Sequence, residues 1–211
     1  MPSLTRMNIL LVGATGKLGT AVHAELADRG HRVLTVGRTA GDLRHDIADP
    51  AQVTAMYERA AGIDAREVID AVVSAAGDVP YKTLTAMTPQ DFRAAFQGKV
   101  QSQIELVRQG IGRVAERGSF TLITGVLARE PIPTGSAASM ANGALEAFVR
   151  AAAIEIAPQR INAVSPSVFT ESLADYGDFF PGMPPVGLAQ VVQAYVRSVE
   201  GGQTGQIYTL P

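Results

Sequence analysis

Residues 8–19 read NILLVGATGKLG. An unbroken apolar run ends on Gly13, and Gly16 and Gly19 follow it. The run shows no polar alternation, as befits a strand buried on both faces. The continuation, KLGTAVHAELADRG, puts Leu18, Ala21, Val22 and Leu26 on one helical stripe and ends at Gly30. Strand, glycine turn and helix in that order make a phosphate cradle. Glycine permits the tight turn, brings backbone N–H groups up to a pyrophosphate, and lets the helix lie close to the strand.

Outward from this unit the chain alternates between apolar runs and helical patterns. HRVLTVGR is a second strand. Asp49 caps a helix that opens on Pro50 and runs through Tyr57 and Ala60. VIDAVVSAAG holds a core strand, and Thr88 with Pro89 starts a further helix, PQDFRAAF. Val100, Ile104, Val107, Ile111 and Val114 recur at helical spacing, which predicts a long amphipathic helix over 100–117. SFTLITG reads as a strand, 136–157 as an alanine-rich helix stopped by Pro158, RINAVSP as a strand, GLAQVVQAYVRSV as a last helix and TGQIYTL as a last strand. Strands separated by helices imply right-handed crossovers and a doubly wound parallel sheet with helices on both faces, an α/β fold. No linker or repeat interrupts the pattern, so one domain over 1–211 is expected. The least regular stretch, 170–185, reads as a substrate loop.

Composition narrows the function. Charged residues are 18% and the net charge is −2, which argues against a nucleic-acid or anionic-membrane surface. There is no cysteine, hence no disulfide frame or thiolate metal site. His23, His31 and His45 are scattered; His23 and His31, at the first helix and its exit, are expected at the surface, and no metal site is expected. No segment is long and apolar enough to span a membrane, and the N-terminus has no signal-peptide pattern, so a cytoplasmic protein is expected.

The second strand ends on Gly37 and Arg38, where enzymes that use NAD carry an acid for the ribose hydroxyls. A guanidinium there pairs with a phosphate instead. NADP(H) is therefore favoured over NAD(H), with Thr15, Lys17 and Thr39 adding contacts.

These motifs resemble the short-chain dehydrogenase/reductase superfamily over nearly the whole chain. The glycine spacing is that of its extended and atypical branches, and the remainder is similar to its compact, single-domain branch. Asp46 and Ile47 match the family's adenine-binding pair. Ser74, Ala75, Ala76 and Gly77 stand where the family has Asn-Asn-Ala-Gly, and RINAVSPSVFT resembles its Arg-x-Asn-x-Val-x-Pro-Gly-x-x-x-Thr run, with Ser167 at the glycine. The resemblance implies a Rossmann-type sheet of about seven strands. It also implies a nicotinamide cofactor held by Gly13, Thr15, Gly16, Lys17, Leu18, Gly19, Arg38, Thr39, Asp46, Ile47, the run Ser74 to Gly77, Thr124, Asn142, Pro166, Val168 and Thr170. The helices at 100–117 and 136–157 resemble the pair that joins subunits, with Ala141, Ala144, Ala147 and Ala151 as a small-residue face; a homodimer or homotetramer is expected.

The same alignment leaves the chemistry in question. Ala138 stands at the family's catalytic tyrosine, Asn142 at its lysine, Gly125 at its serine and Lys99 at its asparagine. General acid catalysis of the kind the tyrosine supplies contributes about 10²–10⁴-fold, and a methyl group supplies none. The candidates left are Lys99, as a proton donor or charge stabiliser once burial lowers its pKa, Asn142 toward the nicotinamide ribose, and Ser139, whose unactivated hydroxyl is a poor acid, as is that of Ser136. Three readings remain open at this point: a reductase acting on a small apolar or aromatic carbonyl such as a quinone or conjugated enone, a catalytically inactive NADP(H) sensor or interaction protein, and a fold used without cofactor. Tyr176, Phe179 and Phe180 in the irregular loop favour an apolar ligand.

Overall fold

A computed structural model describes residues 5–63 and 68–211. Its centre is a seven-stranded sheet in the order β3-β2-β1-β4-β5-β6-β7, with every neighbouring pair parallel. The strands are β1 (Asn8–Val12), β2 (Arg32–Gly37), β3 (Leu43–Arg44), β4 (Ile69–Ser74), β5 (Val114–Ile123), β6 (Arg160–Ser165) and β7 (Ile207–Thr209). The helices are α1 (Lys17–Asp28), α2 (Pro50–Ile63), α3 (Pro89–Ala95), α4 (Ser102–Gly110), α5 (Ser136–Glu155), α6 (Leu173–Tyr176) and α7 (Leu188–Glu200).

The opening apolar run has a plain cause. Leu10 and Val12 enter a core shared with α2, α4 and α5, while Ile9 and Leu11 enter a second core shared with α1 and α7. Successive strand side chains point to opposite faces, so a strand covered on both sides has no polar position. Fully burying one such side chain contributes roughly 1.5–3 kcal/mol, and helices on both faces are what make that burial available. Two tyrosines pin the layers at their polar ends: the Tyr57 hydroxyl donates to the Leu106 carbonyl at 2.6 Å and the Tyr195 hydroxyl to the Ser74 carbonyl at 2.9 Å.

The caps read from sequence hold. Asp49 accepts from the Ala51 N–H at 2.9 Å, and Thr88 with Asp91 forms a reciprocal capping box at the start of α3. Gly30, in the left-handed region at φ 88°, follows the end of α1.

Three sequence expectations are corrected. The helix expected over 100–117 stops at Gly110, where an added Cβ would sit 2.5 Å from the Tyr57 hydroxyl, and Val114 is the first residue of β5. Its apolar side chain continues the helical spacing by coincidence, since a strand facing the same core needs it equally. β5 reaches that far back through a register shift against β4, which pairs Ile69 with Val114 and Ala71 with Ser119. His31 is buried at 6% exposure rather than superficial: its Nδ1 accepts from the Met7 N–H, and its Nε2 faces Glu200 at 3.0 Å. The small-residue face of α5 is divided, with Ala141 in the core and Ala144, Ala147 and Ala151 exposed. The strand β3, too short to show a pattern, went unread.

One feature positions the site directly. α3 passes into α4 through a π-helical turn, Phe96–Gln101, which widens the backbone at Lys99. Such turns recur at functional positions.

Candidate functional site

The C-terminal ends of β1, β2 and β4–β6 meet along one edge of the sheet, the edge at which open α/β sheets bind ligands. At its nucleotide end the three glycines divide the work. Gly13 lies at φ 81°, its N–H donates to the Val36 carbonyl at 2.8 Å, and a Cβ there would stand 2.8 Å from the Ala75 backbone. A Cβ on Gly19 would strike the Gly13 carbonyl oxygen. Those two glycines are demanded by the fold. Gly16 is different: a Cβ there meets nothing closer than 3.8 Å. It faces open space and caps α1 with no side-chain bond and no acid in the first turn, which leaves the helix N–H groups free for an anion. The cradle fits a pyrophosphate.

Thr15, Gly16 and Lys17 are exposed, whereas Leu18 and Gly19 are buried, so Leu18 offers only its backbone. Arg38 and Thr39 project from the end of β2. Beside them is an exposed cation that sequence reading passed over, Arg44, whose register on β3 sets it opposite Gly37. Asp46 accepts from the Ala48 N–H at 3.0 Å, and Ile47 is buried behind it. Ser74 and Thr124, both expected at the cofactor, spend their hydroxyls internally: Ser74 bonds the Ala76 backbone at 3.4 Å, and Thr124 donates to Glu146 at 3.2 Å. Their backbones alone border the cleft. Ala75, Ala76 and Gly77 continue the edge beyond β4. Lys17 reaches across to the irregular loop, with its Nζ 3.3 Å from Asp175 and 3.3 Å from the Glu171 carbonyl.

The other end of the edge gathers the four positions that the family resemblance aligns with its catalytic residues, Lys99, Gly125, Ala138 and Asn142. Lys99 lays its stem over Gly77, where an added Cβ would meet Lys99 Cγ at 3.0 Å, and its Nζ donates to the Thr124 carbonyl at 3.4 Å. Burial pulls this ammonium from its ordinary 10.5 to about 8, because the charged form loses more hydration than one carbonyl returns. Asn142 is 3% exposed, and its Nδ2 would lie 3.2 Å from a Cβ at Gly125. On the far side of Gly125 stands the Pro166 carbonyl, which accepts from the Val126 N–H at 2.8 Å. Val168 is buried and Thr170 is exposed, its N–H donating to the Val186 carbonyl at 2.9 Å.

Ala138 is 1% exposed and belongs to a small apolar cluster with Val126, Leu127 and Ile132, against which Val79, Phe180 and Met183 pack. The irregular loop thus covers this end of the cleft, with Phe180 turned in and Tyr176 and Phe179 exposed.

A buried ionic group completes the site and was missed in the sequence. Glu146, one helical turn beyond Asn142, is 7% exposed in its side chain, and its Oε1 accepts from Ser165 at 2.9 Å, Thr124 at 3.2 Å and Arg129 at 3.3 Å. Arg129 also donates to Ser165 Oγ at 2.8 Å. The end of β5, the end of β6 and the loop after β5 are therefore tied to one carboxylate on α5. An acid in the middle of an alanine-rich helix, on the same face as Asn142, was the available signal.

An open parallel sheet with a glycine cradle at one end of its ligand edge and a buried polar cluster at the other defines a Rossmann-type nucleotide-binding protein. The family model described as enoyl-(acyl carrier protein) reductase matches residues 13–186, and the chain belongs to the short-chain dehydrogenase/reductase superfamily. Among solved structures it is similar to the protein lin1944 from Listeria innocua, 42% identical with a TM-score of 0.90, covering 96% of this chain and 98% of that one. It shares its fold with a small-chain dehydrogenase determined in complex with NADPH, at 22% identity and a TM-score of 0.83, over 97% of this chain and 96% of that one. Among curated proteins it is 26% identical to the versicolorin reductase stcU of Emericella nidulans over 178 residues, 74% of this chain and 67% of that protein. The matched region is 62–67% of the length of this and two further reductases of that kind. Among the described residues no helix is long and apolar enough to cross a membrane.

Proposed function

We propose that this chain is an NADP(H)-dependent reductase of small carbonyl compounds in which Lys99 takes over the acid's task from the absent tyrosine. The observation that carries this reading is the placement of Lys99: a half-buried lysine with a pKa drawn down to about 8, on a π-turn, at the carbonyl of Thr124 and next to Gly77. An acid works best when its pKa lies near the operating pH. Gly13, Gly16 and Gly19 with the start of α1 would hold the pyrophosphate. Arg38 and Thr39, with Arg44 beside them, would hold the ribose phosphate that distinguishes NADP, and Asn142 the nicotinamide ribose. When bound, the reduced nicotinamide supplies a hydride. Lys99 then stabilises the charge that develops on the substrate oxygen and delivers a proton to it. A conjugated carbonyl or quinone, which spreads that charge, asks least of this donor. The covering side chains Val79, Phe180 and Met183 favour an apolar or aromatic body. The protein is read as one cytoplasmic domain that works as a homodimer or homotetramer, paired through the exposed strip Met140, Ala144, Ala147, Ala151 and Ile154 of α5.

The test is NADPH consumption against a panel of ketones, enones and quinones, with Lys99→Met alongside. Turnover above the blank in the native protein, reduced at least tenfold in the variant, supports the reading. Equal rates in both overturn the role of Lys99. A second reading, a cofactor sensor without turnover, has one observation in its favour: the place of the tyrosine is packed with apolar side chains. Tight NADP(H) binding with no turnover of any panel member supports that reading instead.

A further inference from the structure

Six buried side-chain atoms among the described residues have no hydrogen-bond partner, and five of them fall in one region. They are Thr134 Oγ1, Ser136 Oγ, Ser139 Oγ, Asn142 Oδ1 and Ser167 Oγ; the sixth, on Gln159, lies beyond the opposite end of α5. A buried polar group without a partner is costly, so five together at the ligand edge of the sheet mark a place shaped for something polar. The region is continuous. Ser136, Ser139 and Asn142 follow one another at intervals of one helical turn along the start of α5. Gly125 joins Asn142 to the Pro166 carbonyl, and Ser167 comes next in the chain. Asn142 and Ser167 are 3% and 6% exposed, which rules out bulk water as their ordinary partner.

We infer that the four hydroxyls of this cluster bind the carboxylate of the substrate, and hence that the substrate is an oxo acid; Asn142 Oδ1, an acceptor, is left to the nicotinamide ribose. Four of the five orphan atoms are hydroxyls, able to donate to an acceptor oxygen. The first turn of α5 adds donors of the same kind: its cap, Gly135, offers no side-chain bond, and the turn holds no acid. Lys99 contributes positive charge and gives its hydrogen bond to a neutral carbonyl. A donor-rich, cationic surface suits an anion with two acceptor oxygens and gives a neutral ester less. The apolar cluster around Ala138 borders the same turn of α5, which leaves the body of the ligand under Phe180 and Met183. Thr134 fits this role: a β-branched residue at φ 67° is strained, and such strain collects at ligand sites.

The inference rests on the reductase reading and names its substrate class. The carbonyl carbon of the oxo acid gains the hydride of the reduced nicotinamide, which is oxidised. Its oxygen gains the Lys99 proton, which solvent restores, and the product is a hydroxy acid.

Calorimetric titration of the protein with NADP⁺ comes first, then titration of that complex with benzoylformate, acetoacetate and the methyl ester of each. The inference expects at least one acid to bind, and about tenfold or more tighter than its ester, as the loss of a charge-assisted hydrogen bond dictates. Ser139→Ala with Ser167→Ala is expected to remove about tenfold of the acid's affinity and leave NADP⁺ affinity within twofold. Acid and ester binding alike, or no acid binding to a complex that does hold NADP⁺, overturns the oxo-acid assignment and leaves the cofactor reading standing. Failure of NADP⁺ itself to bind overturns the reductase reading. A double variant that fails to fold is replaced by Ser139→Cys, which keeps the volume and weakens the donor, with the same expected direction.

Discussion

The two ends of the ligand edge obey different constraints. At the nucleotide end the backbone does the work: Gly13 and Gly19 are required by contacts under 3 Å, and the polar groups left open are the first N–H groups of α1. At the Lys99 end the side chains do the work, and they are paired unevenly. Glu146, Thr124, Ser165 and Arg129 satisfy one another, while the hydroxyls of Ser136, Ser139 and Ser167 have no partner among the described residues. One end is fixed by folding. The other can vary without disturbing the fold, because its side chains project from strand ends and a helix face that the core already holds.

The sharpest way to break this comparison is Gly19→Val. The new side chain must displace the Gly13 carbonyl, and backbone clashes of this kind belong to the severe class, about 4 kcal/mol or more. At roughly 2–4 °C per kcal/mol for a chain of this size, thermal melting should fall by about 10 °C, with loss of nucleotide binding. A melt unchanged within 2 °C would mean that the glycine loop is not fixed by folding.

Next in size is Lys99→Met, expected to lower reductive turnover by about 10²-fold while NADP(H) affinity stays within twofold. The pH dependence gives the sign. Lys99 must carry its proton to act as the acid, so reduction by the native protein should fall as pH rises through about 8, and the variant's residual rate should lack that limb. Stability runs the other way. Between about 8 and 10.5 the unfolded chain holds a proton that the folded chain has released, so this group's contribution to stability rises with pH across that window. Methionine removes the cost of the buried charge, and the variant should melt no lower than the native protein at pH 7. A flat native profile would remove Lys99 from the chemistry.

These two predictions also show which parts of the molecule were legible from sequence. Strands buried on both faces and capped helices follow from local rules, and β1, α1, α2 and α5 could be read from periodicity with Asp49, Gly30 and Pro158 as punctuation. Val114 was misassigned because an apolar residue at helical spacing serves equally well as the inward position of a strand. β3 has two residues and no period at all. At the site, the backbone-determined end was readable down to individual glycines. The Glu146 cluster was not, because it joins residues from β5, its following loop, α5 and β6, which only the fold brings within 3.3 Å. Burial of Lys99 likewise depends on the π-turn, which no local pattern announces.

Glu146→Gln tests the paired part of the Lys99 end and ranks third. Removing one member of a buried ion pair costs about 3–5 kcal/mol. Arg129 is 34% exposed in its side chain and can recover water, so about 1–2 kcal/mol is expected in a denaturant titration. Replacing Arg129 and Glu146 together by Met and Leu should cost less than Glu146→Gln alone. If the double change costs more, the pair contributes net stability and is not merely self-compensating.

The smallest effect on the fold, and the finest test, belongs to Gly16→Ala. This glycine, at φ −79°, differs from its neighbours in having room for a methyl, the nearest atom being 3.8 Å away. Alanine there meets no clash; the reduced freedom of the unfolded chain offsets its poorer fit as an N-cap, so stability should stay within about 1 kcal/mol of the native protein. The methyl does occupy the face on which a pyrophosphate must approach the first turn of α1. NADP(H) affinity should therefore drop by about tenfold or more while stability holds. Gly19→Val loses both properties together, and Gly16→Ala should separate them. If Gly16→Ala left both nucleotide affinity and melting temperature unchanged, the open face of the loop would not be where the phosphates rest, and the cradle would have to be placed elsewhere along the edge.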